Sequence, residues 1–363
     1  MKEIMTVSGP VEAEKCGMVL SHEHLFIDLR NQASAQAGER KICKDDHKRL
    51  MEDPYCLKDN LLLDDFKSAA GEAASLLEYG CNTVVDCTVD DIGRDPVRLR
   101  SLSAKTGMNI VAGCGWYTGD THSDEFRKRT ADELAEELIS EIRHGAGESG
   151  IRPGIIGEIG TSKRITDGEW KALTAAALAQ RETGLALQIH IYPWSDNGRP
   201  AVKELLRLGV APERIVICHS DVQPDRDYIF DLLRSGVYVE LDNFGKEFTP
   251  ADDGFADGIF ISDRERAVLA ADIISRGFGK QLLLTNDICL KCMLTEYGGQ
   301  GYSHIFRGII PMIAEQGIPE KYLRETILHD NPLRMLTGNQ ALTDIHMNTG
   351  NDNYNSIGKE ELK

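Results

Sequence analysis

Two histidines, two positions apart, close an apolar run: Met18-Val19-Leu20-Ser21-His22-Glu23-His24. In an extended strand, side chains at i and i+2 share a face, so His22 and His24 project side by side from the strand end. Two imidazole nitrogens so placed suit one divalent metal ion. Alone the pair is ordinary, because ten histidines in 363 residues produce such a spacing readily. The same chemistry recurs at the ends of other apolar runs, however, as Glu158, His190, His219 and Asp287. Burying each of these groups unpaired costs roughly a few kcal/mol. Shared cations remove that cost, and four imidazoles with two carboxylates can hold two of them. Plainer alternatives exist for single residues: Glu158 could pair with Lys163 or Arg164, and Asp287 could cap a following helix. Five separate runs favour the metal, while His47, His122, His144, His304 and His329 fall in helical or loop patterns. Zinc is the default for His-rich sites; manganese or iron also suits mixed nitrogen and oxygen ligands.

These residues need a scaffold that brings strand ends together. The pattern alternates short apolar runs with longer amphipathic segments. After the His22/His24 strand, the runs are Thr83–Thr88, Asn109–Gly115, Gly154–Gly160, Leu185–His190, Arg214–His219, Val237–Asp242 and Gln281–Asp287. Helical patterns separate them at Leu61–Tyr79, Pro96–Lys105, Thr130–His144, Thr166–Glu182, Asp263–Arg276 and Ser303–Glu315. Near-continuous apolar strands are buried on both faces, as in a parallel sheet. Eight of them alternating with helices predict an α/β chain folded as a (β/α)8 TIM barrel, whose strand ends converge on one mouth. A doubly wound sheet is the competing architecture, but no GxGxxG follows the first strand. Arg30–Asn60 reads as an irregular insertion after strand 1, preceded by a short N-terminal extension. Residues 1–340 form one expected domain, and 341–363 a polar tail rich in Asn and Asp.

A formal net charge of -17, from 41 basic and 58 acidic residues, argues against nucleic acid and anionic membrane surfaces as partners. The start carries no secretory apolar region, and no run is long enough to cross a bilayer, so a cytoplasmic, soluble protein is expected. Nine scattered cysteines, with a lone Cys289-Leu290-Lys291-Cys292 spacing, read as reduced thiols without a metal role.

The run Ser21–His24, the strand-5 and strand-6 histidines and the strand-8 aspartate together resemble the phosphotriesterase family of the amidohydrolase superfamily. Supporting segments are Gly157-Glu158-Ile159-Gly160, Gly115-Trp116-Tyr117, Thr121-His122-Ser123 and Gly298–His304, and the likeness spans Thr6 to Pro332. It points to the phosphotriesterase-related, resiniferatoxin-binding-like branch. The best-known members bridge their metals with a carboxylated strand-4 lysine. Here Glu158 stands at that position and already carries a carboxylate. The resemblance implies a binuclear centre, with His22, His24 and Asp287 on one ion, His190 and His219 on the other, and Glu158 bridging. A metal pair ionises water near neutral pH, and Asp287 is the expected general base, then acid.

The expected reaction is hydrolysis of a carboxyl-derived bond (ester, lactone or amide) in a small molecule, with phosphoester or phosphotriester hydrolysis as the alternative. A ligand-binding protein with a vestigial metal site is a third reading, weakened by the presence of every ligand and of Asp287. Tyr117 matches a tyrosine that lactonase members place over the metals, or else plugs the barrel mouth. Arg94, Lys246, Lys291 and Tyr302 fall in loops after strands 2, 7 and 8 and are candidate substrate contacts. Cations there hint at an anionic substrate. Family members are often homodimers, so the resemblance carries a homodimer as an option, although no dimer face is legible.

Overall fold

A computed structural model describes residues 2–222, 225–251 and 254–337; the expected polar tail, 341–363, lies outside the described residues. The chain opens with an antiparallel hairpin, β1 (Glu3–Thr6) and β2 (Gly9–Glu12). The eight barrel strands are β3 (Met18–Glu23), β6 (Cys81–Asp86), β7 (Asn109–Ala112), β8 (Ile156–Gly160), β9 (Leu187–His190), β10 (Ile215–Ile217), β11 (Tyr238–Leu241) and β12 (Leu282–Leu284). Two short strands, β4 (Ile27–Asp28) and β5 (Leu62–Leu63), pair outside the barrel. Between the strands lie α1 (His47–Glu52), α2 (Phe66–Leu77), α3 (Pro96–Thr106), α4 (Asp124–Lys128), α5 (Ala131–His144), α6 (Asp167–Thr183), α7 (Gly198–Arg207), α8 (Arg226–Arg234) and α9 (Asp263–Ile273). The chain ends its described part in α10 (Ile310–Ala314), α11 (Glu320–Tyr322) and α12 (Asn331–Thr337).

The fold is the (β/α)8 barrel expected from the strand rhythm. All barrel ladders are parallel, in two runs: β3-β6-β7 and β8 through β12. At the β7–β8 seam, Gly154 N–H donates to Ala112 O at 2.9 Å and Gly157 N–H to Cys114 O at 2.7 Å. At the β12–β3 seam, Asp287 N–H donates to His22 O at 3.3 Å.

Alternation along the strands explains their unbroken apolar character. Val19, Val85, Val111, Val216 and Leu283 fill the barrel interior with Ile4, Leu333 and Leu336, which close the end opposite the site. Their neighbours Leu20, Val84, Ile110, Ile217 and Leu284 pack outward under the helices. Both faces are buried, as the composition of the runs required.

Helix starts follow their capping residues. Thr130, Thr166 and Ser262 open α5, α6 and α9 with capping boxes to Glu133, Glu169 and Glu265. One expectation needs correction: the helix predicted from Leu61 begins at Phe66. Asp65 accepts from Ser68 N–H as its cap, while Leu62–Leu63 pair with β4 instead. The segment predicted as a helix from Ser303 starts as a wider π-type turn, Ile305–Ile309, before α10. Among the described residues, no helix is long and apolar enough to cross a membrane.

Candidate metal centre and its cavity

The site begins where strand alternation breaks. Strict alternation would send His22 outward with Leu20 and Glu158 outward with Ile156. In β3 the register shifts between Leu20 and Glu23, and in β8 between Ile156 and Ile159. Such irregularities re-aim side chains at barrel rims, and here they turn both residues to the barrel axis. His219 and Asp287, just past β10 and β12, sit at φ of 57° and 49°, a left-handed backbone that non-glycine residues adopt mostly where function demands it.

Six side chains converge. The ligand atoms of His22, His24 and Asp287 lie within 4.8 Å of one another, as do those of Glu158, His190 and His219. His24 Nε2 is 3.2 Å from Asp287 Oδ1 and 3.3 Å from Glu158 Oε1. The other Glu158 oxygen, Oε2, is 3.2 Å from His190 Nδ1, 3.5 Å from His219 Nε2 and 3.6 Å from His22 Nε2. All but His190 are fully buried or nearly so.

Deeper groups fix which nitrogen faces the centre. Thr88 Oγ1 gives its hydrogen to Phe26 O, so it accepts from His24 Nδ1 at 2.9 Å. His22 Nδ1 donates to Glu240 at 3.2 Å, and His219 Nδ1 donates to Asp242 at 3.0 Å. Each ring is thereby left with an Nε2 lone pair toward the centre, the arrangement metal-bound histidines need. His22 Nε2 has no hydrogen-bond partner although buried. His219 Nε2 and His190 Nδ1 stand only 2.8 Å apart. An orphaned imidazole nitrogen, convergent ring nitrogens and two carboxylates fit divalent cations, and the donor set suits zinc, manganese or iron.

The electrostatics agree. Burial disfavours the Glu158 carboxylate, but His22, His190 and His219 outweigh it and hold its pKa well below the ordinary range. Burial likewise opposes ionised Asp287; the Lys246 ammonium and a hydrogen bond to His24 still depress it strongly. Burial works against charged His24 and His219, yet the surrounding carboxylates lift them to about 9 and about 10. The pocket therefore attracts positive charge.

Comparison with known proteins agrees with this geometry. The family profile "Phosphotriesterase family" matches residues 2–336. This chain belongs to the phosphotriesterase family. An N-acetyltaurine hydrolase from Salmo salar is 35% identical over 350 residues, covering 92% of this chain and 98% of that protein. The crystal structure of a resiniferatoxin-binding protein from Rhodobacter sphaeroides superposes with a TM-score of 0.88 at 33% identity, covering 92% and 95% of the two chains. A mutant of a PTE-like lactonase from Deinococcus radiodurans gives 0.72 at 27% identity, covering 92% and 99%. As a phosphotriesterase-family protein with such relatives, the chain is a metal-dependent hydrolase.

Above these six side chains, this family member has a cavity of about 470 Å³, lined in part by Tyr117, His190, His219, Lys246 and Asp287. Tyr117 OH is 3.4 Å from His190 Nδ1. Lys246, buried, forms an ion pair with Asp287 Oδ2. Three other sequence candidates are not among the residues lining this cavity, and internal partners hold them. Arg94 is bound by Asp90 at 2.8 Å, Glu141 at 2.5 Å and the Gly113 carbonyl at 2.8 Å. Lys291 pairs with Asp59 at 2.7 Å. Tyr302 is buried and donates its hydroxyl to His24 O at 2.7 Å, which makes it a support for the strand end. Of the plainer partners, Lys163 pairs with Asp257, and the helical turn after Asp287 starts at Lys291 with Leu290, not Asp287, at its N-cap position.

Sequence reasoning overlooked the residues that hold the ligands. Glu240 accepts from Ser21 Oγ and Gln188 Nε2 as well as from His22. Glu23, between the two histidines, accepts from Thr285 Oγ1 and from the backbone of Asn286 and Ile288, which brackets Asp287. The available signal was a buried carboxylate inside an apolar run, as in Tyr238-Val239-Glu240-Leu241-Asp242.

Proposed function

We propose that this chain hydrolyses the amide bond of a small N-acyl compound carrying an anionic group, at a binuclear centre. His22, His24 and Asp287 would hold one ion, His190 and His219 the other, and Glu158 would be shared between them. The observation that carries this reading is that Glu158 reaches both groups of histidines: Oε1 faces His24, while Oε2 faces His190 and His219 and lies 3.6 Å from His22 Nε2. The amide is favoured by the relatives named N-acetyltaurine hydrolases, whose substrate joins an amide to a sulfonate. The lactonase neighbour supports a second reading, ring opening of a lactone by the same centre.

Two divalent ions would supply water ionised near neutral pH and a polarised scissile carbonyl. The chain's own groups do the rest. Asp287, kept unprotonated at neutral pH, takes the proton of the attacking water and passes it to the leaving nitrogen. Lys246 steadies Asp287 Oδ2 and places positive charge where an anionic substituent can settle. Tyr117 presents its hydroxyl beside His190, in reach of a substrate oxygen.

Elemental analysis of the purified protein tests the centre, with about two ions per chain expected. One ion or none overturns the binuclear reading. Zinc is the expected metal, and manganese or iron would keep the same ligand roles. A panel of N-acyl amino acids and N-acyltaurines, lactones and aryl phosphotriesters tests the reaction. Preference for phosphotriesters would reject the carboxyl-derived substrate, and absence of turnover across the metal-loaded panel would favour a binding protein. Activity should not respond to bicarbonate, because Glu158 needs no carboxylation.

A further inference from the structure

The amide reading leaves much of the cavity wall without a task. Rising from the metal ligands toward solvent is a connected set of aromatic rings from three different loops. Tyr55, from the insertion after β3, meets Phe255 edge-on at 5.4 Å between centroids. Phe255 meets Phe248 at 5.7 Å and Phe260 at 5.8 Å, both within the loop after β11. Phe260 meets Trp194 at 5.4 Å, and Trp194 meets Tyr192 at 5.8 Å, in the loop after β9. All six line the cavity that opens on His190, His219 and Asp287. The indole N–H of Trp194 is buried with no hydrogen-bond partner.

At roughly 30 Å³ per water molecule, the 470 Å³ cavity has room for about fifteen water-sized groups. N-acetyltaurine, from the relatives' name, has ten heavy atoms in all, so it would leave part of this space unfilled. Aromatic side chains gathered beside a polar centre are costly to leave wetted, and such walls are the usual lining of small-molecule sites. The charged groups Lys246 and Asp287 sit deep, by the histidines, while the six rings come from loops above the strand ends, where Asp120 and Lys163 also line the cavity. Asp287 delivers the proton to the leaving nitrogen with Lys246 beside it. An anionic amine moiety therefore lies on that side, which leaves the ring-lined wall to the acyl half.

We infer that the acyl group of the substrate is a medium-length alkyl or an aromatic group, well beyond acetyl, and that the six-ring wall selects it. This rests on the amide reading for the reaction, and the wall's preference can be measured independently of that reading.

Two measurements on the full, metal-loaded protein separate the possibilities. In the first, kcat/KM is followed along N-acyltaurines from acetyl through hexanoyl to phenylacetyl. A rise of tenfold or more from acetyl to hexanoyl or phenylacetyl is expected; a flat or falling series overturns the inference. In the second, calorimetry compares acetate, hexanoate and phenylacetate binding, with no turnover required. Hexanoate or phenylacetate should bind at least tenfold tighter than acetate, and equal binding again overturns the inference. If no amide is cleaved but the longer acids still bind tighter, the reaction assignment fails while the wall's preference stands. Phe260→Ala and, separately, Trp194→Ala should reduce the ratio of long-chain to acetyl kcat/KM by fivefold or more. Phe260→Leu should restore most of it, and a ratio that neither alanine variant moves counts against the wall.

Discussion

A ring nitrogen can serve a metal only if its proton is elsewhere, and three pairs of atoms decide that here. Thr88 with His24, Glu240 with His22 and Asp242 with His219 each take the Nδ1 hydrogen. Asp287 has a double task, since Oδ1 faces His24 and Oδ2 faces Lys246. Asp287→Asn keeps the shape but cannot accept a proton. It should lower kcat by about 10³-fold, within the range for removing a general base. Metal content measured on the same sample must stay near that of the parent; a loss under tenfold with metal retained would remove Asp287 from proton transfer. Lys246→Met isolates the anion contact. A charge-assisted hydrogen bond contributes about 1.5–3 kcal/mol, so kcat/KM for an anionic N-acyl substrate should fall about tenfold beyond the loss on a neutral lactone. Equal losses on both would confine Lys246 to steadying Asp287.

At the scale of elements, the barrel turns breaks in regularity into aim. The register shifts in β3 and β8 bring His22 and Glu158 to the axis, and Gly157 makes the second possible. Its φ is +129°, and a Cβ there would collide with the Gln188 carbonyl of β9. Gly107 closes α3 at φ +77° with nothing near its absent Cβ. Gly157→Ala should therefore cost about 3 kcal/mol, from backbone strain plus collision. Gly107→Ala should cost only about 1 kcal/mol, from strain alone. Urea denaturation of both variants measures the difference, and equal stabilities would mean that the β8–β9 contact yields easily.

For the whole molecule, the centre links loading to protonation. In the metal-free chain, carboxylates hold protons on His24 and His219 up to about 9 and 10. At pH 7 an incoming cation must displace them, so loading releases protons and affinity falls as pH is lowered. Calorimetry in buffers of different ionisation enthalpy should register release of up to about three protons per chain, because the imidazoles of His22, His24 and His219 are all raised; no release would contradict the charge balance described above. Because the cations bind only the folded arrangement, chelation should also lower the melting temperature.

Strand rhythm and ligand chemistry were legible in the one-dimensional chain. An eight-fold alternation of doubly buried strands admits few architectures, and a barrel places all strand ends at one mouth. Six residues of three types at those ends then implied a shared cation, because burying them otherwise is too costly. Loop residues were not legible in the same way. Arg94, Lys291 and Tyr302 sit in the expected loops, yet Glu141, Asp59 and the His24 carbonyl claim them. Those partners are remote in sequence, and only folding reveals which charge is already satisfied. The aromatic wall and the Nδ1 partners are tertiary facts for the same reason. They join loops and strands whose spacing along the chain carries no period to read.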